Sequence, residues 1–393
     1  MRTLLVIILL FVVAENESQA SPIDAVDRRQ TIEIDSVVLG ETREIIVQLP
    51  EGYIDTPHRN YPVLYLTDAV WQFDLIAAYM DYHAHWGRIP DHIIVGLFNP
   101  NRNADLVPRA DYRYPATGNG DLYLRHVRDE VLHQIDANFR TNETRILFGH
   151  SFGGTMTLNQ LLTEPDQFDA YIALGSSTWV ADRVLFERLE RAAERSFGGA
   201  IVYMAVGETD GGATVPDGEL FAARLEELRP QGLNWVFEIT PGENHFTNVP
   251  EGLHRAITHI YPFVDQKVHV EAAGRERGAL GIMQWFEQQE AQLGWRFYAQ
   301  SMELSLAGYS LAQSDDLEAA MQLFDELEAR FPRNVELVAV RANALGSAGH
   351  LSHGIAEMER AISMGENEGH PANRLQAFRG YQERLEGRIQ SAD

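Results

Sequence analysis

Arg145-Ile146-Leu147-Phe148-Gly149-His150-Ser151-Phe152-Gly153-Gly154-Thr155 is the stretch on which the fold turns. The compact apolar run Arg145–Phe148 predicts a buried strand, and the spacing of apolar residues over Thr155–Leu162 predicts a helix. Between them, Gly149-x-Ser151-x-Gly153 puts a serine on a sharp strand-to-helix turn, whose backbone crowding only small residues two before and two after can relieve. A serine hydroxyl is a poor nucleophile unless it is presented at such a turn beside a base. The helix start then aims backbone N–H groups at an incoming carbonyl oxygen. Ser151 is therefore the candidate nucleophile.

Working outward, strand-like and helix-like segments alternate. Thr31–Val38 and Arg43–Leu49 alternate in the manner of an antiparallel hairpin at a sheet edge, with Glu41 in the turn between them. Pro62–Thr67, His92–Phe98, Ala170–Leu174, Ala200–Val206 and Asn234–Thr240 read as further strands, several of them continuously apolar. Trp71–Met80, Gly120–Phe139, Trp179–Ala193 and Glu219–Leu228 have helical spacing. This order predicts an α/β fold of the α/β-hydrolase type, a mainly parallel sheet flanked by helices, over residues 31–265.

A serine that transfers acyl groups needs a histidine base and a carboxylate to orient it, in the chain order serine, acid, histidine for this fold. The loop after Ala200–Val206, Gly207-Glu208-Thr209-Asp210-Gly211-Gly212, offers Asp210, with Glu208 as the alternative acid. The loop after Asn234–Thr240 carries His245. His254 and His259 fall in the following helix and read as packed or surface residues. His150 is expected to point to the opposite side of the elbow, as a packing residue. His83-Ala84-His85 with Asp81, flanked by His58 and His92, lacks a clear third ligand, so no metal site is expected.

The first residues combine Arg2, the apolar run Leu4–Ala14 and the small residues Ser18-Gln19-Ala20. Residues 1–20 are expected to be a signal peptide, with an uncleaved anchor as the alternative, and the mature chain to be exported to a bacterial periplasm or the medium without stable membrane insertion. The chain has 393 residues and no cysteine, which excludes disulfides, thiolate catalysis and Cys-ligated zinc. A net charge of −25 argues against nucleic acid as a partner. Beyond about Glu271 the strand runs cease. Gly308, Ala320, Phe324, Leu327 and Pro332, followed one period on by Gly354, Met358 and Ala361, resemble a degenerate tetratricopeptide-type repeat, although a plain helical bundle fits equally. A small all-α domain over 271–393 is expected, either docking on the sheet domain or pairing with another chain, a second copy or a protein partner.

Several blocks together resemble the putative-esterase family of α/β-hydrolases, which includes S-formylglutathione hydrolases, feruloyl esterases and ferric-enterobactin esterases. They are Tyr61–Asp68, Val95–Asn99, Arg102 with Asp105-Leu106-Val107-Pro108, Arg145–Gly154, Pro165–Asp169 and Ser176–Trp179. The resemblance covers roughly Thr31 to Phe263, and the siderophore-esterase branch is the most similar. It implies an ester-cleaving enzyme that needs no cofactor and uses Ser151, Asp210 and His245. It also implies an oxyanion hole from the N–H of Phe152 and that of Ala69 or Val70, where Asp68-Ala69 departs from the family's common Asp-Gly. Arg102 and Trp179 are candidate substrate-binding residues.

Three functions follow as expectations: hydrolysis of small acyl esters, cleavage of a siderophore trilactone, or a partner-binding protein that keeps a hydrolase core. Anionic siderophores would call for a basic pocket, for which Arg102 and Arg109 are the candidates.

Overall fold

The computed structural model describes residues 28–51, 53, 60–85, 88–262, 266–293, 301–313, 316–370 and 372–391. The expected signal peptide and His58 lie outside the described residues.

Among the described residues, eight strands form one sheet: β1 (Arg29–Ser36), β2 (Glu41–Gln48), β3 (Tyr61–Leu66), β4 (Ile93–Leu97), β5 (Thr141–His150), β6 (Ala170–Leu174), β7 (Ile201–Gly207) and β8 (Asn234–Thr240). Their spatial order is β1-β2-β4-β3-β5-β6-β7-β8. The pairs from β4 through β8 are parallel, and β1 and β2 form the antiparallel edge. The fold is thus the α/β-hydrolase arrangement expected.

The continuous apolar runs have a simple cause. In β3, β5 and β6, Leu64, Leu66, Ile146, Phe148, Ile172 and Leu174 face one hydrophobic layer, beneath α1 (Ala69–His85) and the helix Asn248–Ile260. Their neighbours Val63, Tyr65, Leu147, Tyr171 and Ala173 face the other, beneath the helices that include Phe152–Thr163 and Val180–Ala192. A strand covered on both faces has no polar side to show.

Because β3 lies between β4 and β5, the chain reverses its direction of progress across the sheet there, opening a crevice at the carboxyl ends of β3 and β5. The elbow of Ser151 is the turn that leaves β5.

Two local expectations are corrected. Glu41 is the first residue of β2, paired with Ser36, and the turn is the segment before it, ending at Gly40 with φ 72°. The Gly120–Phe139 helix is α-helical only at its ends, Gly120–His126 and Leu132–Asn138, with a π turn over Val127–Val131. One extra residue in that turn directs Glu130 at the β1–β2 turn, where it accepts from Ser36 Oγ (2.5 Å), Val37 N (2.8 Å) and Val38 N (3.0 Å).

After Gln266 the described residues form helices through Gln390. Val270, Ala279, Ile282 and Phe286 share a buried cluster with Ile257, Ile260 and Tyr261 of the sheet region. Ala320, Phe324 and Leu327 are fully buried, and a Cβ on Gly308 would lie 2.7 Å from the Phe324 ring, so that glycine lets two helices approach closely.

Under the hairpin, Arg43 of β2 donates to both oxygens of Asp105 at 2.8 and 3.0 Å, both side chains being 4% exposed. Removing Asp105 leaves the buried Arg43 paired with Glu41, at 2.6 Å and itself half-exposed, so Asp105→Ala should cost about 3 kcal/mol in urea unfolding.

Candidate active site

Ser151 has φ 61° and ψ −120°, a backbone state that costs a non-glycine residue on the order of 1–3 kcal/mol. Its surroundings enforce it. Ser151 N donates to Leu174 O of β6 at 2.9 Å, while its own carbonyl accepts from Thr155 N at 3.0 Å and Ser177 N at 3.4 Å. A Cβ on Gly149 would collide with Gly153 O, one on Gly153 with Thr67 Oγ1, and one on Gly154 with Ser176 Oγ. The helix that follows runs Phe152–Thr163, starting directly after the serine rather than at Thr155. Its first N–H groups have no carbonyl one turn back within the helix.

Asp210 and His245 come from the loops after β7 and β8. His245 Nδ1 donates to Asp210 Oδ2 at 2.8 Å, with the carboxylate 3% and the imidazole 24% exposed. The two loops are stitched together by Thr209 N donating to Glu243 O at 2.9 Å, and a Cβ on Gly207 would meet Glu243 O at 2.6 Å. Glu208 turns elsewhere and accepts from Gly242 N at 2.8 Å.

His150 does not point away from this site. Its Nε2 donates to His245 O at 2.7 Å, and the two rings are 4.6 Å apart. The signal for this lay in strand periodicity: β5 continues through residue 150, so His150 shares a face with Ile146 and Phe148, the face covered by the helix that follows His245. Gly175, at φ 52°, allows the approach, since a Cβ there would lie 3.2 Å from both imidazoles. Burial, then the neighbouring His245, lower the His150 pKa to about 4.

On the other side of Ser151, Asp68 (φ 57°) lies two residues past β3, and its carbonyl accepts from Trp71 N at 2.9 Å and Gln72 N at 3.1 Å, starting α1. Ala69 is buried and Val70 exposed as the first two residues of that helix. Arg102 Nε and Nη2 grip the Asp68 carboxylate at 2.7 and 2.9 Å, and the guanidinium lies 5.2 Å from the Phe152 ring centre. Burial raises the Asp68 pKa, and the Arg102 pair opposes that rise.

Sequence reasoning missed the continuation of this wall. Tyr114 meets Phe152 edge-on at 5.3 Å and Trp179 at 5.7 Å, and Arg113 lies 5.1 Å from the Trp179 ring centre. The loop that carries Tyr114 has no period to read, only a density of aromatic and basic residues in Arg109-Ala110-Asp111-Tyr112-Arg113-Tyr114. Arg109 pairs with exposed Glu187 at 2.7 Å.

The histidines around residue 83 are engaged in packing. His83 lies 4.4 Å from Tyr79 with the rings tilted by 43°, Asp81 accepts from Arg28 and Gln48, and His92 Nε2 is 2.7 Å from Tyr261 Oη. Tyr79 Oη reaches His254 Nδ1 at 2.7 Å. Among the described residues, no three His, Cys, Asp or Glu side chains gather as a metal site.

The His150 environment has a measurable sign. Its folded pKa lies below the ordinary histidine value, so the unfolded chain binds more protons between about pH 6.5 and 4, and stability falls as pH drops through that window. His150→Gln should flatten this part of the melting-temperature profile against wild type, recovering on the order of 3 kcal/mol of acid-induced loss near pH 4.

Residues 36–266, more than half of the chain, match the family described as "Putative esterase". Ferri-bacillibactin esterase BesA of Bacillus subtilis is 28% identical over 251 residues, covering 55% of this chain and 84% of that protein. A siderophore enterobactin esterase of Emericella nidulans is 31% identical over 109 residues, which are 24% of this chain and 36% of the relative. The solved structure of an IroE-like serine hydrolase from Shewanella oneidensis superposes with a TM-score of 0.68 at 26% identity, covering 77% of this chain and 99% of that one. No helix among the described residues is long and apolar enough to cross a membrane. With its parallel sheet, its crevice at the carboxyl ends of β3 and β5 and this match, the chain belongs to the esterase family and is a hydrolase of the α/β-hydrolase fold.

Proposed function

We propose that the protein hydrolyses carboxylic esters through Ser151, His245 and Asp210, by way of an acyl-enzyme. The observation that carries this reading is the 2.8 Å bond from His245 Nδ1 to Asp210 in loops that close beside the Ser151 elbow. A proton fixed on Nδ1 leaves the Nε2 lone pair available to take the Ser151 proton as Oγ attacks the ester carbon. The same imidazolium then protonates the departing alcohol. Water, deprotonated by His245, releases the acid in the second half.

The tetrahedral oxyanion is received by the N–H of Phe152 and by that of Ala69 or Val70, each donor contributing about 3–4 kcal/mol. His150 keeps the His245 backbone in place, and in its neutral state adds no repulsion to the imidazolium that forms. Residues 31–265 form the catalytic unit in this reading, and the helices of 271–393 lie outside its chemistry.

A siderophore ester is the second reading, favoured by one specific pairing of observations. Two of the relatives above are named for siderophore esters. Arg102 and Arg113 also bracket the aromatic wall Phe152–Tyr114–Trp179 in a chain whose net charge is −25. Guanidinium groups over aromatic rings suit flat anionic acyl groups. Turnover of simple p-nitrophenyl esters compared with a catecholate trilactone, with and without bound iron, separates the two readings.

Ser151→Ala should lower kcat by at least about 10³-fold while the melting temperature holds. Turnover of p-nitrophenyl acetate by well-folded Ser151→Ala would sink the assignment. Asp210→Asn should cost roughly 10²–10⁴-fold in kcat and Glu208→Gln less than about threefold; equal small losses would remove Asp210 from its role.

A further inference from the structure

We propose that Asp111 is a positioning residue that sets which acyl groups the cleft admits, by holding a left-handed turn over Ala181–Arg183 and, with it, the Trp179 wall. This rests on the ester-hydrolase reading of the site.

The turn is unusual. Ala181, Asp182 and Arg183 have φ values of 50°, 54° and 59° with ψ values of 49°, 43° and 39°. Single non-glycine residues visit this region, but runs of them crowd each Cβ against the following carbonyl. Such a run persists only where its surroundings over-determine it. Two carboxylates do so here. At one end Ala181 N donates to Asp111 Oδ2 at 2.7 Å, and at the other Arg183 forks onto Asp217 at 3.1 and 2.7 Å.

Asp111 serves more than the turn. Its Oδ1 accepts from Arg113 N and Nε, both at 2.9 Å, and its Oδ2 from Arg113 Nη2 at 2.6 Å. Asp111 N donates to Thr117 Oγ1 at 2.7 Å, and Tyr114 N donates to Asp111 O at 3.0 Å, closing the loop that carries Tyr114. One carboxylate, 1% exposed, thereby ties two chain segments whose rings, Tyr114 and Trp179, meet each other, Tyr114 also meeting Phe152 beside Ser151. The forked Arg113 bond holds this carboxyl far below the usual carboxylate range, so the clamp stays charged at any ordinary working pH. An amide cannot replace it, because both oxygens face N–H donors.

The test compares p-nitrophenyl acetate, whose acyl group is too small to reach the wall, with p-nitrophenyl benzoate. Asp111→Asn should raise KM for the benzoate about tenfold while changing kcat for either ester less than about threefold. Arg183→Lys, at an exposed side chain, breaks the fork onto Asp217 at the other end of the turn and keeps the charge; it should give the same selective rise at about threefold even if the Asn variant folds poorly. Asp182→Gly, which adopts the turn without crowding, should recover part of the benzoate KM when combined with either variant. Equal effects on both esters, a fall in kcat with KM unmoved, or no effect in Arg183→Lys would overturn the proposal. Failure of the hydrolase reading shows separately, as turnover that survives Ser151→Ala.

Discussion

A serine held at φ 61° and ψ −120° is the constraint around which the rest is arranged. The backbone does not choose that state; it is forced by a strand that ends buried between β3 and β6 and a helix that must begin at the next residue. Gly149, Gly153 and Gly154 leave room for the turn, and the Leu174 carbonyl of the neighbouring strand takes the serine's N–H. Because β3 lies beside β5 at the point where the strand order reverses, the loop after Leu66 is packed against the same turn. Thr67 and Asp68 are therefore as closely tied to the elbow as the elbow is to the sheet.

Electrostatics inside the site follows from burial. His150 is deep enough to be held neutral, and a neutral ring 4.6 Å from His245 can donate to the loop's backbone without opposing charge on its neighbour. Asp68 is pushed the other way by burial, and the Arg102 fork compensates. The strongly acidic surface of the chain thus surrounds a cleft whose described cationic groups are each anchored by one carboxylate.

Much of this was legible beforehand because the relevant signals are periodic or sequential. Buried parallel strands read as unbroken apolar runs, and the order Ser151, Asp210, His245 follows from strand ends. What escaped the sequence depended on direction or on strain. The orientation of His150 needed the knowledge that β5 extends through it; the π turn at Val127–Val131 keeps the apolar face intact while inserting one residue. The left-handed run at Ala181–Arg183 contains no glycine to announce it, since its conformation is imposed by Asp111 and Asp217 from other parts of the chain. Likewise, the sequence does not show that Asp210 meets His245 Nδ1 while Glu208 accepts from Gly242 N, the contacts that support Asp210 as the proposed acid.

The crowding at the three elbow glycines also bears on how such an enzyme can diversify. A side chain at Gly149 would run into the Gly153 backbone, and one at Gly153 or Gly154 into the Thr67 or Ser176 hydroxyl, so the setting of Ser151 resists gradual change. The aromatic wall belongs to connecting segments held by side-chain bonds, where single replacements alter shape without touching the strand ends. Under the proposed reading, descent from a common ancestor can then vary the fit of acyl groups quickly while the elbow stays frozen.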